Sequence, residues 1–421
     1  MIPQSMTHKI LARRAGKAFV RTGEFLQVGI DMAFTHDPVL ESLRDLFYRE
    51  FGAEARVWDP DRVALFQDHF VPAKDARSRA LARAMDLFAA EQSIHHYYPY
   101  GADYGICHVA MCENGHVQPG TVVVGTDSHS VAYGAFNAFG TGVGLWDMAC
   151  LFRTGDLWFR VPEVVGIRID GALTAGVLAK DMILRVIGEL GAGGASGRTM
   201  EFYGTTIDAL SAEERLTLCS MVVEAGAKNG IMALNDSARA YLERVSHHAY
   251  EPVATDEEFE YHTQLTYRAG DFEPVVAYPH SPDNVHPISA AKLERIRPRQ
   301  VYVGSCTGGK LSDINVVANV LRGKRVAPGV ELVVVPASMA VYRQMAATSL
   351  IRDLLAAGAV IESPGCKACY GAQGAILGDG EICLSTTNRN FRGRMGNPKS
   401  LIYLASPYIA ARSALAGYIT D

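Results

Sequence analysis

The C-terminal third of the chain alternates between short apolar runs and helical patterns, and this alternation narrows the fold more than any other feature. Residues 300–304 (QVYVG) and 330–335 (VELVVV) read as buried strands. Residues 313–322 read as a helix between them, and another helix begins at Ser338. Residues 359–362, 381–385 and 401–404 read as further short strands, and an Ala-rich helix runs from about 408 to 416. Strands that alternate with helices imply right-handed crossovers and a mostly parallel sheet. Such sheets bind ligands at the carboxyl ends of their strands. Cys306 follows the first of these strands immediately, where chemistry is expected.

Cys306 lies in Gly304-Ser305-Cys306-Thr307-Gly308-Gly309-Lys310, and Cys366 and Cys369 lie in Pro364-Gly365-Cys366-Lys367-Ala368-Cys369. One cysteine plus a later C-x-x-C pair gives three thiolates. A closed zinc site or a closed electron-transfer cluster normally takes four protein ligands. Three on a cubane iron–sulfur cluster would leave one iron open as a Lewis acid for a hydroxyl or carboxylate. By itself C-x-x-C also occurs in redox and zinc sites, and buried free cysteines are common small hydrophobes. The Gly, Ser and Pro neighbours favour the cluster, because they place sulfur at strand-to-loop ends where backbone amides can donate to it. Cys107, Cys112, Cys150, Cys219 and Cys383 lie in mostly apolar runs and are assigned to the core.

A chain of 421 residues accommodates two or three domains. Boundaries near 160 and 290 divide it into 1–160, 161–290 and 291–421. The middle part opens with a strand at 164–170, a helix at 178–190 and a Gly-rich turn at 191–197. Residues 251–283 are acidic, lack periodicity and read as the connection into the last part. Gly140-Thr141-Gly142-Val143-Gly144 lacks the G-x-G-x-x-G spacing and a clear preceding strand, so it is not a dinucleotide loop. It reads as backbone packed closely against a cofactor or helix.

Composition excludes several classes. Charged residues are 20% and hydrophobic residues 48%, as in a globular protein with a large core. A net charge of −5 supplies no field to recruit nucleic acid or an anionic membrane. No apolar run reaches the ~18 residues of a membrane span, and the first 20 residues lack a secretory apolar segment. Eight cysteines without a compact framework fit a reducing compartment, so a cytoplasmic location is expected.

Three histidines follow apolar, strand-like runs. Asp68-His69 follows residues 63–66, Asp127-Ser128-His129 follows 122–125, and His108 follows 104–107. Any one could be a satisfied structural histidine, but the repeated pattern favours oriented acid–base groups. Arg389 and Arg394 flank an aromatic and a glycine after a strand, and arginine forks bind carboxylates bidentately. A solvated basic loop is the ordinary reading of such a run. Glu224 is placed on a helix spanning 216–227, and spacing alone gives it no role beyond an exposed helical glutamate.

These segments together resemble the aconitase superfamily, and within it the large subunits of 3-isopropylmalate dehydratases. The resemblance spans nearly the whole chain: Asp68-His69, GTDSH at 125–129, MEFYGTTIDALSAEERLTLC at 200–219, PHSPDN at 279–284, GSCTGGK at 304–310, PGCKAC at 364–369, STTNRNFRGRMG at 385–396 and YLASP at 403–407. It implies three α/β domains with mostly parallel sheets around a [4Fe-4S] cluster held by Cys306, Cys366 and Cys369, with Asn388 near the cluster sulfurs. It implies that His69, oriented by Asp68, helps a hydroxyl leave as water. By the same resemblance Asp127 and His108 orient water or hydroxyl, and Ser128 and His129 contact substrate. Glu224 hydrogen-bonds the leaving oxygen, and Arg389 and Arg394 hold carboxylates. The implied reaction is reversible dehydration of a 2-hydroxy di- or tricarboxylate, in first place the interconversion of 2- and 3-isopropylmalate. Homoaconitate, methylmalate-type and dimethylmalate dehydratases are the alternatives within the class.

The superfamily's mobile fourth domain, with its serine base, has no counterpart before Asp421. The resemblance therefore implies a separate small subunit carrying it, in a heterodimer or heterotetramer. Departures from the family pattern fall at His36-Asp37-Pro38-Val39, Ser130-Val131-Ala132, Leu145-Trp146, Ser220 and Gly308-Gly309-Lys310; none removes an implied cluster ligand, and several could reshape the pocket and so leave the choice of acid open. Two other classes compete. An RNA-binding, cluster-free module is disfavoured by the net charge and the lack of basic–aromatic stripes. A cluster for electron transfer alone is disfavoured by the thiolate count.

Overall fold

Short runs of β-branched and aromatic residues, each followed by a polar or Gly-rich turn and a helix, assemble into three main sheets. The computed structural model describes residues 2–246 and 249–421. In the first sheet the order is His96–Tyr98, Val63–Phe66, Met32–His36, Val122–Gly125 and Phe139–Gly142, all parallel. Val63–Phe66 and Val122–Gly125 are buried at every residue, the pattern of parallel strands covered on both faces. An antiparallel ribbon of Phe25–Gly29 and Asp156–Arg160 lies outside it.

The second sheet is Asn229–Met232, Thr199–Tyr203, Val164–Asp170 and Thr263–Arg268, again parallel. The third has seven strands in the order Val285–Pro287, Val275–Ala277, Leu401–Ala405, Ile382–Ser385, Gln300–Val303, Glu331–Val334 and Val360–Ile361. Its last five strands are parallel, and the first two run antiparallel to their neighbours. The strands and helices read from the last third of the sequence are all present. Ser338 caps its helix by accepting from the Val341 amide.

Four expectations change. Residues 251–283 are more than a connection: they supply Thr263–Arg268 to the second sheet and Val275–Ala277 to the third. Backbone pairing there overrides weak periodicity. The Gly-rich run is itself an edge strand, Phe139–Gly142. His108 sits at the start of the helix Cys107–Glu113, not after a strand. The helix expected over 216–227 is Ala212–Met221, and Glu224 lies beyond it on the 3₁₀ turn Val222–Ala225. Gly226, with φ at 85°, ends that turn in a left-handed conformation that glycine adopts without strain.

No helix among the described residues is long and apolar enough to cross a membrane. The sheets face one another through their loops. The Cys366 amide donates to the Asp68 carbonyl at 2.8 Å, and Ile106 donates to the Ala337 carbonyl at 2.8 Å. Both contacts join the first sheet's loops to the third's.

Candidate active site

The polar residues singled out in the sequence cluster at the carboxyl ends of parallel strands. Asp37 follows Met32–His36, Asp68 and His69 follow Val63–Phe66, and Asp127 follows Val122–Gly125. Cys306 follows Gln300–Val303, Cys366 follows Val360–Ile361, and Asn388 follows Ile382–Ser385.

His69 and Asp68 form one unit. His69 Nδ1 donates to Asp68 Oδ1 at 2.6 Å, and both side chains are buried. The Cys107 amide donates to the other oxygen, Asp68 Oδ2, at 2.8 Å. Burial alone would lower the His69 pKa, but the Asp68 charge and hydrogen bond outweigh it and raise it to about 9. Burial likewise opposes the Asp68 carboxylate, yet His69 holds it down at about 2. Asp37 accepts from the amides of Asp68, His69 and Phe70 at 3.2, 3.0 and 2.7 Å, which fixes this turn. Burial and the neighbouring Asp68 charge push Asp37 up to about 6.

A second unit centres on Asp127. His108 Nε2 lies 3.0 Å from Asp127 Oδ1, and His129 donates its amide to the same oxygen at 2.8 Å. Burial would raise the Asp127 pKa, but His108 and His129 hold it well below the usual carboxylate range. His129 Nε2 reaches Glu224 Oε1 at 3.0 Å, and Arg389 Nε donates to that same oxygen at 2.8 Å. Glu224 is buried, and its bonds to His129 and Arg389 override the effect of burial and keep its pKa low. The exposed helical glutamate of the ordinary reading is thus a buried bridge between residues from two sheets. Ser128 is half-buried and lines a cavity of about 910 Å³ between the first two sheets, whose wall also carries Arg198 and Lys228.

Cys306 and Cys369 are buried and Cys366 nearly so. The Cys369 amide donates to the Cys366 carbonyl at 2.9 Å, closing the C-x-x-C turn. Burial pushes the Cys306 thiol up to about 11, with Cys369 adding to the rise, and lifts Cys366 well above its ordinary value. Buried thiols whose thiolates would repel one another are ionised most readily around a cationic centre, which fits the donor chemistry of an iron site. Asn388 Nδ2 donates to Cys306 Sγ at 3.3 Å. Arg394 stands over the Tyr370 ring at 5.7 Å, and the Cys369 thiol draws its pKa up against burial. Cys107, Cys112, Cys219 and Cys383 are buried in the core, and Cys150 is half-buried. Cys107 also borders the site through its amide.

Sequence reasoning marked His36 only as part of a departing segment and gave it no role; the imidazole stacks on His69 with centroids 4.6 Å apart and places Nε2 3.7 Å from Asp127 Oδ2. Burial and the His69 charge lower its pKa to about 4. Sequence reasoning likewise gave no role to Asp37, and it missed Tyr133 (3.4 Å from His108 Nδ1) and Lys180. Part of the signal was there: His36 closes a buried strand, and Asp37 opens a helix with Pro38 in its first turn.

Residues 34–417 match the model of the aconitase family (aconitate hydratase). A 3-isopropylmalate dehydratase large subunit of Heliobacterium modesticaldum is 43% identical, over 99% of this chain and 98% of its own length. One from Pyrococcus furiosus shows the same identity and coverage. A probable methanogen homoaconitase large subunit of Methanothermobacter thermautotrophicus is 42% identical over 100% of this chain and 98% of its own. The crystal structure of Thermococcus kodakaraensis aconitase X in its holo-form superposes with a TM-score of 0.52 at 12% identity, covering 94% of this chain and 88% of that one, a likeness of fold. The chain belongs to the aconitase family.

Proposed function

We propose that the chain is the catalytic large subunit of an iron–sulfur hydro-lyase that dehydrates and rehydrates a 2-hydroxy dicarboxylate, interconverting 2- and 3-isopropylmalate. The observation that carries this reading is the meeting of two imidazole–carboxylate units, an arginine on a buried glutamate and three cysteines at one junction of strand ends. Cys306, Cys366 and Cys369 would hold a [4Fe-4S] cluster, and when bound it would supply a Lewis acid for the departing hydroxyl. A hydroxide is a poor leaving group, so it must leave protonated. His69 is suited to this: Nδ1 is committed to Asp68, and the proton it gives is carried on Nε2. Asp127, with His108 and His129 on it, orients the leaving water. Arg389 is positioned by Glu224, and together with Arg394 it would hold substrate carboxylate and stabilise charge developing α to it. Ser128 would contact substrate from the cavity side.

Relatives matched over nearly their full length are named large subunits, which supports a small subunit that completes the site. The homoaconitase name of an almost equally similar relative supports homocitrate-type acids as the second reading. The test is an anaerobically reconstituted pair of chains assayed against 2- and 3-isopropylmalate, homocitrate, methylmalate and dimethylmalate, followed at the ultraviolet absorbance of the enoate. Enoate from an isopropylmalate first is the expected result. Turnover of homocitrate alone moves the assignment to the second reading, and no enoate from any acid by an iron-loaded pair overturns both.

A further inference from the structure

Two lysines are buried behind the cysteine loop, and they differ in one respect. Lys310 Nζ reaches Asp313 Oδ2 at 2.7 Å and Thr217 Oγ1 at 2.9 Å, so its charge is paired. Lys180 is 1% exposed and, among the described residues, has no carboxylate at ion-pair distance. Its Nζ donates to the carbonyls of Thr387 at 2.6 Å and Thr386 at 3.2 Å, and to Thr307 Oγ1 at 3.4 Å. The adjacent Asp181 carboxylate is turned away onto the Leu178 and Val275 amides. Lys180 also stands in the first turn of the helix Ala179–Leu190, the end at which the helix dipole disfavours a cation. The carbonyls solvate the ammonium but carry no net charge, and a buried charge without an anion nearby is strongly unfavourable.

The anion is found along the hydrogen bonds. Thr307, which accepts from Lys180, donates to Asn388 Oδ1, and Asn388 Nδ2 donates to Cys306 Sγ at 3.3 Å. Every donor in this chain points toward sulfur, so the ammonium polarises each bond in the same sense. We propose that Lys180, acting through Thr307 and Asn388, is the counter-charge of the thiolate-held iron–sulfur cluster, a positioning residue that tunes its redox potential and its hold on iron. This inference rests on the cluster assignment made above. Thiolate ligation gives the centre net negative charge, and a fixed cation nearby stabilises its reduced form and its ligands.

The test uses the full chain, reconstituted anaerobically, as wild type, Lys180→Met and Thr307→Val. Three quantities are read: the reduction potential of the centre, the affinity for iron during mild oxidation, and the difference in melting temperature between iron-loaded and iron-free protein. Lys180→Met should lower the potential, weaken iron binding roughly 10- to 100-fold, the range for outer-shell partners of a metal site, and shrink the melting-temperature difference. Thr307→Val should move all three the same way by less, and it carries the test alone if Lys180→Met does not fold. A lysine that only clamps the Thr386 and Thr387 carbonyls would lower the melting temperature of both forms equally and leave potential and iron affinity unchanged; that result overturns the inference. If wild-type protein binds no iron, the cluster reading itself fails, and the inference with it.

Discussion

At the scale of single residues, the roles divide by what each side chain is held against. His69 is pinned on Nδ1 and is not a cluster ligand in this reading, so His69→Ala should keep its iron and lose two or more orders of magnitude in turnover, the scale of a general acid; iron content and enoate formation measured on one preparation check this. The same pair gives the apoprotein a pH signature. The His69 pKa is raised to about 9 in the fold, above the ~6.5 of an unfolded chain. Its contribution is therefore fully present below about 6.5 and is lost as pH rises through about 9. Melting temperatures of iron-free protein should fall across that window, and Asp68→Asn should flatten the fall. Cys306→Ser, Cys366→Ser and Cys369→Ser should each abolish iron binding while Cys150→Ser leaves it, and full iron in Cys306→Ser would remove that ligand from the assignment. Arg389→Lys keeps the charge but loses the planar fork, so KM should rise well beyond the effect on folding.

At the scale of elements, the edge strand Phe139–Gly142 does a job its glycines make possible. A Cβ on Gly142 would come 2.7 Å from the Asp127 carbonyl and 3.0 Å from Ser128 Cα. The strand thus presses directly against the turn that aims Asp127 and His129. Gly142→Ala should destabilise the protein by about 1–3 kcal/mol, as overpacking does, and depress turnover further than that loss explains, seen by comparing melting curves with rates at saturating substrate. Elements with a clear period were legible in the sequence. The strands at 164–170 and 300–304 are fully or mostly apolar and lie at sheet centres, where burial dictates composition. Thr263–Arg268 was not legible, because it is a half-exposed edge strand whose place is set by backbone pairing with Val164–Asp170. Glu224 was misplaced because the apolar pattern of its helix runs on into the 3₁₀ turn, while the geometry changes at Met221.

At the scale of the whole molecule, the site exists only where three sheets meet. Motif spacing identified most members of that junction, since strand-end positions carry their chemistry in sequence. It could not give roles to Lys180 or His36, whose importance comes from what lies across the junction: a buried ammonium with no carboxylate at ion-pair distance among the described residues, and an imidazole stacked on another. If a small subunit completes the site, the purified iron-loaded chain should be nearly inactive. Adding the partner should restore turnover saturably, with tighter association when substrate is present; equal rates with and without the partner would remove it from the reaction.

The amide of Cys366 rests on the carbonyl of Asp68, and this one contact orders events in the life of the chain. It closes a loop of about 300 residues, whose entropic cost is met only after the intervening sheets have formed. His69 and the cysteine loop should therefore reach their places together, late in folding. A chain still emerging from the ribosome, with residues 366–394 not yet free, has no place to receive iron. Iron loading should follow synthesis, and a nascent chain stalled before that point should show the first two sheets folded, the third still lacking Ile382–Ser385 and Leu401–Ala405, and Cys306 uncovered.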